Sequence, residues 1–165
     1  MGNIIKQANA RIMEQPVANR DGQCNCSNQD ECPLGIKCLT SCTVYTAEVN
    51  TDDTEAVYHG STESEFKTRY NGHLTSFRLR HHEKDTKLSE HIWSLKDSGA
   101  RYSIKWSVAA QAHPYKCGTR RCDVCLSEKT VIARSKHPCM LNKKSEIMSK
   151  CRHRNKFTLD SVLNR

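Results

Sequence analysis

Thr43-Val44-Tyr45-Thr46-Ala47-Glu48-Val49 is the stretch on which the fold turns: Tyr45, Ala47 and Val49 alternate with Val44, Thr46 and Glu48, the two-residue period of a strand. The polar run Asn50-Thr51-Asp52-Asp53 interrupts it, and Ala56-Val57-Tyr58 resumes an extended pattern. Together they read as an antiparallel hairpin closed by an irregular acidic turn. Thr62-Glu63-Ser64-Glu65 then fits a capping box, which predicts a helix starting there and continuing to about residue 77 on the stripe Phe66, Tyr70, Leu74 and Phe77. A second helix is predicted over Lys87 to Lys96, with Leu88, Ile92 and Leu95 on one face and Gly99 just beyond its end. Tyr102, Ile104, Trp106 and Val108 alternate with Ser103, Lys105 and Ser107 as a third strand, and Val124 to Ala133 reads as helical. Strand, strand, helix, helix, strand, helix is an α/β layout. It predicts a small three-stranded, mainly antiparallel sheet flanked by helices, with zinc-binding Cys/His additions.

Upstream of this unit, residues 1–31 show neither period, contain Pro16 and the polar run Asn19 to Gln23, and read as a loosely ordered lead-in. The domain proper is expected over 32–159, with 160–165 a tail; a chain of 165 residues suits one domain. Aromatic residues make up only 6% and hydrophobic residues 36%, so the core is small and calls for cross-links or metal. Ten cysteines are available for that. Met1 to Met13 interleaves Ile4, Ile5 and Ile12 with Lys6, Gln7, Asn9 and Arg11, which is not a signal peptide, and no stretch is long enough to span a membrane. The expectation is an intracellular, reducing location, where spaced cysteines bind zinc more often than they form disulfides. Cys32-x5-Cys38 and Cys122-x2-Cys125 have credible spacing, and Cys151 and His153 add donors. Cys24 and Cys26 belong either to a further metal site or to the lead-in. Cys42, Cys117 and Cys139 read as packed or free thiols, and His81, His82, His91, His113 and His137 as surface residues.

Charge is divided unevenly. Residues 1–65 carry 4 Lys/Arg against 10 Asp/Glu, whereas residues 66–165 carry 22 against 8, a field that attracts a polyanion and makes its binding salt-dependent. Within that region Arg69 and His73 lie four apart on one helix face, beside the apolar stripe, where they could stabilise a phosphate or form a solvated face. Glu128 is the only carboxylate in the Val124 to Ala133 helix; beside a phosphate it could hold a hard divalent cation such as Mg²⁺. Tyr45 and Tyr58 sit on the hairpin, with Gly60 at its exit.

Taken together, Thr43-Val44-Tyr45, Tyr58-His59-Gly60, Arg69 with His73, Glu128 and Asn142 resemble the signature of GIY-YIG nucleases. Cys32-Pro33-Leu34, Lys37-Cys38-Leu39, Thr86-Lys87-Leu88-Ser89-Glu90-His91-Ile92-Trp93, Cys125-Leu126-Ser127-Glu128-Lys129, Leu141-Asn142-Lys143-Lys144-Ser145-Glu146-Ile147 and Cys151-Arg152-His153 further resemble the endonuclease modules of Penelope-like retroelements, over about Cys24 to Leu159. Two departures stand out: Thr-Val-Tyr replaces Gly-Ile-Tyr, and His59 replaces an isoleucine. The resemblance implies hydrolysis of a DNA phosphodiester. Glu128 would hold catalytic Mg²⁺ (or Mn²⁺), Arg69 would offset transition-state charge, Tyr45 would help activate the attacking water, Tyr58 and His73 would position it or share its proton, and Asn142 fills the last motif position. It also implies a Cys-Cys-His-His structural zinc site using Cys32, Cys38 and His153, its fourth ligand being His73 or a cysteine of the Cys122/Cys125 pair. The implied partners are DNA and a reverse transcriptase in cis or in trans, in the nucleus and away from membranes. Two other readings remain: a catalytically inactive, zinc-stapled DNA-binding remnant, and a zinc-stapled protein-interaction module.

Overall fold

The computed structural model describes residues 23–116 and 121–151. Strand β1 (Thr43–Thr51) is central, flanked by β2 (Glu55–Thr62) and β3 (Tyr102–Gln111) in the order β2-β1-β3, and both pairings are antiparallel. The small antiparallel three-stranded sheet expected from the alternating stretches is therefore present. The acidic turn is pinned at its base, where Thr51 N donates to Thr54 O at 2.9 Å and Thr54 N to Thr51 Oγ1 at 2.9 Å. Asp52 and Asp53 are left in solvent at its tip.

Strand β2 runs past the expected Tyr58 to Thr62, and this overturns the capping box. Thr62 pairs with Thr43 across the sheet and its hydroxyl bonds to Ser64, so it is strand and not helix cap. Helix α1 begins four residues later, spanning Phe66–Arg78 with Glu65 as N-cap and no side-chain cap bond. A three-residue 3-10 turn at Arg80–His82 leads towards helix α2, Lys87–Asp97. Here the local signal holds: Thr86 Oγ1 accepts from Ser89 N at 3.0 Å and Gly99 follows in the left-handed region, φ 70. Helix α3 spans Asp123–Arg134 and lies against all three strands; a second 3-10 turn covers Lys144–Met148.

Strand alternation sends Tyr45, Ala47, Val49, Ala56 and Tyr58 to one face, where they bury against Phe66, Phe77, Leu88 and Ile92 of α1 and α2. Full burial of Phe66 is worth roughly 1.5–3 kcal/mol. Tyr102, Ile104 and Trp106 of β3 pack against the same cluster. Val108 keeps the register, opposite Tyr45, yet is exposed; the bulge follows it, where Val44 pairs with Ala110. The free edge of β2 is covered as well. Val57 N donates to Cys139 O, Leu141 N donates to Val57 O, and Val57 bridges Met140 in the parallel sense.

Candidate functional site

Tyr45, the third residue of β1, is wholly buried opposite Gly60 of β2. Gly60 is not an exit turn but lies inside β2, and a Cβ on it would stand 2.5 Å from Tyr45 Oη. Only glycine leaves room for the ring to cross that strand. The phenol reaches α1, where Arg69 Nε donates to Tyr45 Oη at 3.0 Å and His73 Nε2 lies 2.7 Å from the same oxygen. Arginine can only donate, so Tyr45 Oη accepts from it, while the direction of the Tyr45–His73 bond follows the imidazole tautomer. His73 is 2% exposed, inside the apolar face of α1 rather than beside it as its spacing suggested. Burial, helped by the Arg69 charge, pushes its pKa down to about 3. The ring is therefore neutral at pH 7 and packs between Tyr45, Tyr58, Phe77 and Trp106.

Tyr58, in the neighbouring position on β2, is also buried. Burial first, then the neighbouring Tyr45, with the carboxylates of Glu146 and Glu128 adding and Arg69 opposing, drives its phenol far above the usual range. It is an O–H donor at any physiological pH. Burial works against the charge on Arg69, but its interactions with the Tyr45 and Tyr58 phenol oxygens outweigh it and hold the guanidinium ionised. Arg69 and His73 line a cleft of about 290 Å³ shared with Gly72, Thr75, Ser76 and His82. Glu128 is half-buried on α3, within electrostatic reach of Tyr58.

Asn142 does a different job from the others. Its Oδ1 accepts from His59 N at 2.7 Å, and its Nδ2 donates to His59 O at 2.8 Å and to Glu146 Oε2 at 2.8 Å. The side-chain amide thus pairs the backbone of β2 as another strand would, and aligns Glu146, a motif residue to which the sequence assigned no role. His59 itself is buried, its Nδ1 bonded to the Thr46 hydroxyl at 3.0 Å. The polar departure at that position thereby has a partner on β1.

The cysteines fall into two groups whose sulfurs lie within 4.8 Å of one another: Cys24, Cys26, Cys32 and Cys38, and Cys122, Cys125 and Cys151. None of the nine described cysteines is in a disulfide, and both groups are donor sets that could hold a metal such as zinc. Cys32 and Cys38 are therefore completed by Cys24 and Cys26. His73 is not among them, its Nε2 being spent on Tyr45, and no cysteine of the second pair joins them. His153, like Cys117, lies outside the described residues. Cys42 packs against Cys122 and Cys125, and Cys139 is exposed. Burial works upward on the Cys32 thiol, yet the amides of Leu34 and Ile36 and the thiols of Cys24 and Cys38 offset it and leave it at about 7. Cys38 is pushed up to about 12, by burial before its thiol neighbours.

Among the described residues no helix is long and apolar enough to cross a membrane. Compared with protein-family models, curated proteins and solved structures, the chain matches none of the three.

Proposed function

We propose that this chain is a divalent-metal-dependent DNA endonuclease of the GIY-YIG type, similar to the endonuclease modules of Penelope-like retroelements, that nicks DNA for integration. The observation that supports this most is the linkage of Arg69, Tyr45 and His73 through one phenolic oxygen, beside a cleft that Arg69 and His73 both line. Such a linkage keeps a cation fixed and desolvated where a phosphate would approach, the condition under which electrostatic stabilisation of a transition state is largest.

The residues divide the work by protonation state. Arg69 offsets charge on the phosphate. Tyr45, bonded to neutral His73 and accepting from Arg69, would help activate the attacking water; His73, with a pKa of about 3, relays or orients a proton but does not retain it. Tyr58 stays protonated and orients the attacking water as a donor. Glu128 would hold Mg²⁺ or Mn²⁺: it is a hard oxygen donor, half-buried and within electrostatic reach of Tyr58. Bound there, the ion supplies charge stabilisation at the leaving oxygen. Asn142 fixes the strand that carries Tyr58. The basic balance of residues 66–165 supplies attraction for DNA, with a reverse transcriptase in cis or in trans and a nuclear location as the accompanying expectations.

A second reading draws on the complete burial of Tyr45, which suits a phenol used only for packing. It is a zinc-stapled DNA-binding remnant without activity. Incubating supercoiled plasmid with purified protein in Mg²⁺ or in chelator separates the two: Mg²⁺-dependent conversion to open circle supports the nuclease, whereas salt-sensitive retention of uncut plasmid supports the remnant.

A further inference from the structure

Residues 23–42 contain turns and bends but no helix or strand, and among the described residues Leu39 is the one buried apolar side chain clustered with Cys24, Cys26, Cys32 and Cys38. A twenty-residue loop held by so little core needs another source of order. The sulfurs are arranged to supply it. Cys26 Sγ and Cys24 Sγ lie 3.6 and 3.5 Å from Cys38 Sγ, well outside a disulfide bond of ~2.05 Å and near the ~3.8 Å that four thiolates at ~2.3 Å from one tetrahedral ion require. Backbone amides are aimed at the same atoms: Cys26 N donates to Cys24 Sγ at 3.3 Å, and the amides of Leu34 and Ile36 bond to Cys32. Amides so placed stabilise thiolate charge and fix ligand orientation. The second of these bonds requires the chain to reverse through two successive left-handed residues, Gly35 at φ 51 and Ile36 at φ 67. A β-branched residue adopts that conformation only under constraint.

The same loop meets α1 at its unprotected end. Glu65 provides no side-chain cap, and the first free amides of the helix are taken by loop carbonyls instead: Phe66 N donates to Thr40 O at 2.8 Å and Lys67 N to Cys38 O at 2.8 Å. Lys67 Nζ returns to Asn25 Oδ1 at 2.7 Å, between Cys24 and Cys26. Arg69 and His73 follow on the next turns of that helix.

We propose that Cys24, Cys26, Cys32 and Cys38 form a four-thiolate zinc site whose loading caps α1 and so holds Arg69 and His73 against Tyr45. The metal site and the cap stand whether or not the chain cuts DNA. The full-length protein is compared with Cys24→Ser after dialysis against a competing chelator, reading zinc per chain and backbone amide exchange. The expected result is one zinc equivalent fewer, with exchange at Phe66, Lys67 and Arg69 at least about tenfold faster while Ala47 and Val49 of β1 stay protected. Cys24→His keeps a zinc donor and restores both zinc and slow exchange, which separates ligand loss from a general folding defect. Unchanged zinc content in Cys24→Ser overturns the site; zinc loss with unaltered exchange at residues 66–69 overturns the cap.

Discussion

Tyr45 depends on the absence of one methyl group across the sheet. Gly60→Ala places a carbon 2.5 Å from its hydroxyl in a region with no free space, so the ring must move off Arg69 and His73. The expected cost is about 1–3 kcal/mol in urea unfolding, together with loss of activity; a variant with native stability would contradict the packing described. His73 makes a second prediction, about acid. Unfolded histidine takes up a proton near pH ~6.5, whereas folded His73 resists protonation down to about 3. Between those values the unfolded state binds more protons, so stability is full above ~6.5 and falls as pH drops, by up to ~1.4 kcal/mol per pH unit for one such group. His59 and His91, both shifted down by burial, act in the same direction. His73→Gln should lower stability at pH 7 and flatten its fall between pH ~6.5 and ~4; denaturant titrations across that range that show the parent's slope unaltered would remove His73 from this role.

At the scale of elements, Asn142 seals the edge of β2. Asn142→Ala strips partners from His59 N and His59 O and releases Glu146, leaving a buried amide unpaired. About 1–3 kcal/mol of destabilisation and faster amide exchange at His59 are expected; a thermal midpoint equal to that of the parent would show that the edge is held by Cys139 and Leu141 alone. What could be read in advance also divides by element. The hairpin, α2 and β3 were legible because each carries its own period and, for α2, its own cap at Thr86. Thr62 misled because the ladder to Thr43 outcompeted a local helix start, a contest decided by a partner nineteen residues away in the chain. His73 was placed outside the apolar stripe because periodicity counts histidine as polar, whereas a neutral imidazole bonded to a phenol buries readily. Cys24 and Cys26 had no period at all: their place beside Cys32 and Cys38 comes from a chain reversal at Gly35 and Ile36 that no pattern announces.

For the whole molecule, charge is the largest lever. With 22 Lys/Arg against 8 Asp/Glu over residues 66–165, duplex DNA should bind and release counterions. Affinity measured by fluorescence anisotropy should fall at least about tenfold between about 50 mM and about 200 mM salt; binding indifferent to salt would point to a partner other than a polyanion. The composition announced this balance, but not where the site lies. The site is made by three elements meeting: β1 supplies Tyr45, β2 supplies Tyr58, and α1 brings Arg69 and His73 to them, its free end closed by the cysteine loop.

The most direct measurement is the single-turnover rate of plasmid nicking in Mg²⁺ by the parent protein, Arg69→Ala and Glu128→Gln, with circular dichroism confirming that all three are folded. The nuclease account predicts Mg²⁺-dependent nicking by the parent and a loss of about 10²-fold or more in each variant, the size expected when a transition-state contact is removed. A folded, DNA-binding parent that leaves the plasmid intact, or variants that cut as fast as it does, would contradict it.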